Sequence, residues 1–418
     1  MKNNSYTSAV NKIKDANYDK INRKMRRSNY AVASIFLGLI LGMILIAILG
    51  ANPFIFISSL FKGSFQSSED FGNFLANFSW LLLVGLSVGL ALKMGLFNIG
   101  VTGQFLLGGI TGFYWAYFAH VGRFGMVFSI LIPLLSGALL GWLIGYLKAK
   151  HNVNEVLTSI MFNWIIFNLY KYTTSYSPTK EWTTTSGATQ VIDSANSLRT
   201  ENLTAIFGNQ SEISWGIFLA LFAVVIIWFL LKKTQWGKQV SVTGNNPNAA
   251  TYAGFNKDRN IITTMTISGA LAGLGGAIMY LGSKESLPGI GYDLPGEAFN
   301  GIAIALIGFS SPGGMFAASL FMSLLVTSQT FIQVFIPVEI IQLVTGIIIW
   351  LVAIVNYFII YDPIHKISLR LKNRKTEMQK ASAIASNNSV NIKTKNLKET
   401  ENNKIEKTRE TKDMGGDR

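Results

Sequence analysis

The chain contains about ten apolar runs, each close to the ~20 residues that a helix needs to cross the hydrocarbon core of a bilayer. Half of its residues are hydrophobic and only 14% are charged, against roughly 25% in soluble domains. A backbone surrounded by lipid must satisfy its own hydrogen bonds, so these runs predict helices. We therefore expect an all-α polytopic membrane protein with spans at Tyr30–Gly50, Phe78–Leu92, Phe97–Phe118, Met126–Leu147, Glu155–Tyr172, Ser214–Leu231, Ile261–Leu281, Gly296–Phe309, from the Ser310–Gly314 turn to Phe331, and Pro337–Ile360.

Basic residues are concentrated at the chain ends and in alternate loops, which is the pattern that sets the orientation of membrane proteins. The net charge of +14 therefore indicates a membrane topology rather than a nucleic-acid partner. Both termini are expected to be cytoplasmic. The predicted organisation is a basic leader (1–29), a transmembrane domain (30–360) with external loops at 51–77 and 173–213 and a cytoplasmic loop at 232–260, and a disordered basic tail (361–418).

Two of the spans open with similar residues, Phe97-Asn98-Ile99-Gly100 and Phe299-Asn300-Gly301-Ile302, and each follows a Gly-rich span. This likeness favours two halves of five helices each. Because five is an odd number, the two halves would have opposite orientations in the membrane, as is common in transporters. The alternative is that any two Gly-rich spans look alike, because small residues let membrane helices pack closely.

Polar and aromatic residues inside the predicted spans are the candidates for a solute pathway. Polar groups are costly in lipid and should face the bundle interior. Amides beside aromatic rings suit a hydroxyl-rich or base-containing solute, whereas the simpler alternative is hydrogen bonding between helices, worth about 0.6 kcal/mol each. Glu155, Glu297 and Glu339 are expected at span ends, where carboxylates stay hydrated. The pathway candidates are Asn98, Gln104, Asn163, Trp164, Asn168, Phe299 and Asn300.

Several kinds of chemistry have no residues to support them. The chain has no cysteine, its three histidines are far apart, and no G-x-x-x-x-G-K-[ST] sequence occurs that could hold ATP. No His/Ser/Asp grouping or carboxylate pair falls on one face of a span. We therefore expect no catalytic residues, no metal site and no ATPase site in this chain, and we do not expect it to be an enzyme.

One long polar stretch, Trp236–Phe255, interrupts the apolar middle of the chain and has basic residues on both sides. Its centre predicts a short helix, with Asn245 or Asn246 as the cap, Pro247 in the first turn and Gly254 as the stop. A short helix held at a membrane surface is a structure that a partner can push.

Five segments, in this order, resemble the permease subunits of bacterial ABC importers of the branched-chain amino acid and simple-sugar class, and most of all the nucleoside-type permeases. They are GLFNIGVTGQFLLGG (95–109), NEVLTSIMFNWI (154–165), WGKQVSVTGNNPNAATYAGF (236–255), SGALAGLGGAIMYLG (268–282) and GEAFNGIAIALIGFSSPGGMFAA (296–318). The long loop at 173–213 resembles that of the larger of two paired nucleoside permeases.

The resemblance implies a heterodimer with a shorter permease, a cytoplasmic tandem ATPase that uses ATP and Mg²⁺, and an external substrate-binding lipoprotein, all at a bacterial plasma membrane. It also implies that the stretch 236–255 contacts the ATPase. The residues that carry this match are Gly237, Gly244, Asn246, Pro247, Ala249, Ala250 and Gly254.

The expected function is therefore import of nucleosides or related sugar-like solutes, driven by a partner's ATP. The main alternative is an ion-coupled secondary transporter of a small polar solute, which needs an ionisable residue in the middle of the membrane. A membrane scaffold or enzyme is the third possibility, and no set of residues in the sequence supports it.

Overall fold

The computed structural model is a bundle of α-helices, and it describes residues 35–50, 52–118, 123–175, 189–192, 197–287, 294–361 and 378. The contacts reported below lie within one compact unit, Met1–Val355. Of the second unit, Asn356–Arg418, the structure describes only the end of the last helix and Met378. The predicted leader and almost all of the predicted tail lie outside the described residues.

The regular elements of the described part are helices, as the apolar runs predict. In chain order they are α1 (Ile35–Ile48), α2 (Pro53–Phe65), α3 (Ser68–Lys93), α4 (Val101–Phe118), α5 (Arg123–His151), α6 (Glu155–Ser175), α7 (Glu201–Phe207), α8 (Gly216–Lys233), α9 (Gln235–Asn245), α10 (Pro247–Tyr252), α11 (Lys257–Ala277), α12 (Asn300–Ile307), α13 (Pro312–Ile332) and α14 (Val338–Tyr361).

Five of these helices are long and apolar enough to cross a membrane by length and composition. They are α3, α8, α11 with its continuation to Ser283, α13 and most of α5. Ten spans and the sidedness of the termini stay predictions. The eighth predicted span is a short helix, because the apolar stretch Glu297–Ile307 covers only about 16 Å at 1.5 Å per residue, about half of the ~30 Å hydrocarbon core.

The region between the first two predicted spans differs from expectation. Helix α2 lies in residues 51–77, and α3 begins at Ser68 rather than at Phe78. Ser67 and Asp70 form a capping box at this start, because the Ser67 side chain accepts from the Asp70 backbone and the Asp70 carboxylate accepts from the Ser67 backbone. Helix α3 is longer than predicted because its first ten residues include polar side chains that an apolar run does not contain.

Helix α3 forms the centre of the bundle and is buried on nearly every side from Phe78 to Ala91. Its largest helix contacts are with α11, α12 and α13, whereas those of α11 are with α5, α4 and α3. The two central helices run in opposite directions, because Ser87 lies against Ser268 while Val84, three residues earlier, lies near Gly275.

The contact between α11 and its neighbours α4 and α5 is made backbone to backbone through glycines. A Cβ on Gly273 would collide with the carbonyl oxygen of Pro133, and one on Gly276 with that of Phe105. Gly108 faces Gly273 in the same way, and Gly137 faces Gly269. This close approach is the structural use of the small-residue stretch at 269–276.

A π-helical stretch and a 3₁₀ turn follow this glycine seam, the contact of α11 with α4 and α5, along the chain. Residues Ile278–Ser283 continue α11 as a π-helix, and Glu297–Phe299 form one 3₁₀ turn before α12. Helix α12 then runs parallel to α3, since Gly301 contacts Val84 and Ile304 contacts Gly85. Glu297, one turn before Gly301, is therefore level with about Trp80, near the middle of α3.

Candidate functional site

Two cavities lie beside α12, and they meet at its N-terminal end. The first has a volume of about 680 Å³ and is lined by residues of α2, α3, α13 and the π-helical stretch. The second, of about 570 Å³, lies among α12, α13 and α14. Both are lined by Glu297, Asn300, Val326 and Gln329.

The wall that α3 contributes to the first cavity is held in place by side-chain hydrogen bonds. The indole Nε1 of Trp80 donates to Asn77 Oδ1 at 3.1 Å, and Asn77 Nδ2 donates to Thr327 Oγ1 on α13 at 3.1 Å. One turn towards the start of α3, Ser323 Oγ on α13 donates to the Phe74 carbonyl oxygen at 2.6 Å. The amide and the indole of this wall are therefore fixed before any solute arrives.

The side chains at the junction of the two cavities are different, because their polar atoms have no partner within the described residues. Glu297 Oε2 is buried and makes no hydrogen bond or ion pair there. The amides of Asn300 and Gln329 line both cavities, and no side-chain hydrogen bond to a described residue involves either of them. A carboxylate and two amides are thus free to bind hydrogen-bonding groups that enter from either side.

The mouth of the first cavity, at the Ser68 end of α3, carries ion pairs. Lys284 Nζ lies 3.2 Å from Glu212 Oε1, and both residues line this cavity. Arg199 Nη1 lies 3.2 Å from Glu285 Oε2, whose Oε1 accepts from Ser197 Oγ at 2.7 Å. These contacts tie residues 197–215 to the end of the π-helical stretch, so they determine the position of the loop beside the opening.

The predicted pathway residues Asn98, just before α4, and Gln104, in α4, lie elsewhere, in a closed network with α3 and α11. Asn98 Nδ2 donates to Gln104 Oε1 at 2.9 Å and to Ser268 Oγ at 2.8 Å, and Ser268 Oγ lies 3.0 Å from Ser87 Oγ. All four side chains are buried. Their hydrogen-bonding groups are directed at one another, which matches the alternative of interhelical bonding.

The predicted residues of α6 are also separate from the two cavities. Asn163 is buried and joins α6 to the start of α4, accepting from Gly103 N at 2.8 Å and donating to the Ile99 carbonyl oxygen at 3.1 Å. Trp164 is 48% exposed, and Asn168, also exposed, donates to the Trp164 carbonyl oxygen. That any of these residues contacts solute stays a prediction.

Of the seven pathway candidates, Asn300 alone is among the residues that line the two described cavities. Phe299 beside it is 37% exposed. Asn77, Trp80 and Gln329 were not among the pathway candidates, although a polar amide in an otherwise apolar helix is a signal that could have identified Asn77 and Gln329. Glu297 does begin the short helical stretch, as its predicted place at a span end requires, but this end lies level with the middle of α3.

The polar stretch Trp236–Phe255 forms two helices rather than one, α9 and α10, at the end of the bundle opposite the cavity mouth. Gly237 packs against the Leu230 carbonyl oxygen of α8, and Gly244 packs against the Lys93 carbonyl oxygen at the end of α3. Trp236 Nε1 donates to Thr263 Oγ1 of α11 at 3.0 Å. Helix α9 is therefore seated directly on the ends of the two central helices and on α8.

Helix α10 projects from this seat, and its start and stop are those that the sequence predicts. Asn246 Oδ1 accepts from the backbones of Asn248 and Ala249 at 3.1 Å each, Pro247 is the first helical residue, and Gly254 adopts a φ of +80° after the end. Ala250 is fully buried, whereas Ala249 is exposed and Tyr252 is 93% exposed. The helix thus presents a large aromatic side chain to the outside.

A bundle of apolar helices around polar cavities, with a surface helix seated on its central helices, defines a multi-pass membrane transport protein. The chain belongs to the family of permease components of branched-chain amino acid transport systems, whose family model matches residues 70–353. This identifies it as a transport subunit.

Individual relatives agree with this assignment. A nucleoside ABC transporter permease of Lactococcus lactis subsp. cremoris is 33% identical over 80% of this chain and 93% of its own length. A guanosine ABC transporter permease of Bacillus subtilis is 35% identical over 77% of this chain and 91% of its own. A glucose ABC transporter permease of Haloferax volcanii is 26% identical over 78% of this chain and 87% of its own. No solved structure gives a significant match.

Proposed function

We propose that the chain is a permease subunit of an ATP-driven importer that moves nucleosides across a bacterial plasma membrane. The similarity to nucleoside and guanosine permeases over more than nine-tenths of their length supports the solute class. Nucleosides and the glucose named for a more distant relative share neighbouring hydroxyl groups. The free carboxylate and amides at the cavity junction suit such a solute.

The observation that carries the mechanism is the position of α3 in the bundle. Near its start and middle, Asp70, Asn73, Asn77 and Trp80 line the first cavity, and at its other end Lys93 supports Gly244 of α9. A force on α9 or α10 is therefore transmitted to the wall of the cavity through one buried helix. In our proposal a partner ATPase, which holds ATP and Mg²⁺, presses on α10, and the bundle alternates access to the cavity.

The remaining partners follow from the family resemblance. We propose a second, shorter permease subunit as a heterodimer partner and an external substrate-binding lipoprotein at the mouth of the first cavity. The helices α3, α4 and α5 run opposite to α11, α12 and α13, respectively, and α3 packs on α12 as α11 packs on α4. These directions support the proposed inverted repeat.

The ion-coupled alternative finds no support among the relatives, which are ABC transporter permeases. It needs an ionisable residue in the middle of the membrane, and Glu297 now occupies the middle of the bundle. The energy source therefore has to be measured. We expect uptake of radiolabelled adenosine by vesicles that contain the complete transporter to stop when ATP is removed, and to continue when an ionophore collapses the ion gradients.

The coupling contact is tested by the variant Tyr252→Ala, with Lys257→Ala as a matched control at an exposed position just beyond α10. We expect Tyr252→Ala to lower ATP-driven uptake at least tenfold at an unchanged membrane level. Tyr is enriched among interface hot spots, whose truncation costs at least about 2 kcal/mol, and a tenfold change corresponds to about 1.4 kcal/mol. The control should transport normally. Uptake by the Tyr252→Ala variant at the rate of the control would contradict the assignment of α10.

A further inference from the structure

We propose that Glu297 selects the solute by accepting hydrogen bonds from the two ribose hydroxyls of a nucleoside as it passes between the two cavities. This inference rests on the proposed function, and it concerns a residue that the sequence analysis set aside. The chemical class that it would recognise is a neutral solute with neighbouring hydroxyl groups.

Glu297 lies where a charged side chain is unusual. A carboxylate level with the middle of α3 is costly to retain in a membrane bundle, and such residues usually mark solute or ion pathways. Glu297 lines both cavities, so a solute that moves from one to the other passes its side chain. Its carboxylate makes no hydrogen bond or ion pair with a described residue.

The carboxylate of Glu297 also has an unused capacity to accept hydrogen bonds. Oε2 of Glu297 is buried without a partner, and an unpaired polar atom in such a place is unfavourable until a donor arrives. Among the described residues that line the two cavities, the one base is Lys284, which is paired with Glu212 at the mouth. The carboxylate is therefore available to a donor that the solute brings.

The acceptors of the site match the donors of a ribose. A carboxylate accepts through two oxygens, and acidic residues bind ribose hydroxyls in this way in dinucleotide-binding folds. The amides of Asn300 and Gln329 can donate as well as accept, so they complement the base or the ring oxygen. A site of this kind discriminates strongly against an analogue that lacks the hydroxyls, because its own polar groups are then left unpaired.

The test compares two solutes in the complete transporter, radiolabelled adenosine and radiolabelled 2′,3′-dideoxyadenosine, as initial rates of ATP-driven uptake. The same binding protein is present in every arm, so a change between variants is due to this chain. Glu297→Gln preserves the shape of the side chain and removes its charge. Glu339→Gln is the matched control, because it makes the same change at an exposed residue of α14 outside both cavities.

We expect Glu297→Gln to lower the preference for adenosine over the dideoxynucleoside about tenfold, the value of one charge-assisted hydrogen bond. Glu339→Gln should keep the wild-type preference. Glu297→Asp, which retains the charge on a shorter side chain, should give an intermediate preference, and it provides the test if the glutamine variant does not reach the membrane.

A Glu297 variant present in the membrane with the wild-type preference would overturn the proposal, because a purely structural role leaves that ratio unchanged. Failure of the wild-type transporter to take up adenosine would instead contradict the proposed function. The two failures are therefore distinguishable in one set of measurements.

Discussion

The two spans that open with Phe-Asn look alike in sequence and differ in surroundings. Asn98, before α4, is fully buried and bonded to Gln104 and Ser268, next to a seam where backbones touch. Asn300, at the start of α12, is partly exposed and faces two cavities beside an unpaired carboxylate. One copy of the pattern holds helices together, and the other leaves polar groups facing two cavities. The difference lies in the packing partners, not in the motif.

The largest effect is expected from a large side chain placed in the glycine seam between α11 and its neighbours α4 and α5. Gly273→Leu should prevent assembly of the bundle, since the new atoms would occupy the position of the Pro133 carbonyl oxygen on α5. We expect a destabilisation above about 3 kcal/mol, at the upper end for overpacking. The measurement is the amount of monodisperse protein after detergent extraction and heating. The control Gly313→Leu has open space at its Cβ and should extract like the wild type; equal loss in both variants would argue against a rigid seam.

A glycine-to-leucine substitution at the second cavity should impair transport rather than folding. Gly346 of α14 lines the second cavity, and a Cβ added at this position would have no neighbouring atom within 4 Å. Gly346→Leu should therefore fold normally and lower ATP-driven adenosine uptake at least tenfold by filling the passage. Membrane level and uptake are measured on the same vesicles. A variant that transports at the wild-type rate would remove the second cavity from the pathway.

The smallest effect is expected from the two asparagines themselves. Asn98→Leu should cost about 1–3 kcal/mol of stability, because it leaves Gln104 and Ser268 without their buried partner. Asn300→Leu should leave stability unchanged within about 0.5 kcal/mol, as for a residue without such partners, and should weaken uptake instead. Thermal unfolding in detergent and uptake rates separate the two outcomes. A comparable loss of stability in both variants would mean that the two positions are equivalent.

Local features of the fold were predictable from the sequence, because short-range chemistry determines them. The Asn246 cap, Pro247 and the stop at Gly254 were each recognisable from residues a few positions apart. The all-helical class followed from the apolar runs alone. The break between α9 and α10 was missed, although Asn246 is at once the end of one helix and the cap of the next.

The candidate site was less accessible to sequence reasoning, because depth and pairing are properties of the packed bundle. Asn77 and Asn98 are both amides in apolar surroundings, and only the structure places the first at a cavity and the second in a closed network. The end of α12 was taken for the end of a span, since a count of residues does not reveal where a helix starts relative to its neighbours. Glu297 was set aside for that reason.

The contact of Gly244 with the Lys93 carbonyl oxygen has a mechanical consequence. No side chain lies between the two backbones to yield under load, and packed protein interiors have low compressibility. A displacement imposed on α9 therefore reaches α3 with little loss along the way. The displacement that a partner ATPase has to apply to α9 is then set by the movement that the cavity wall needs, because little of it is lost between α9 and α3.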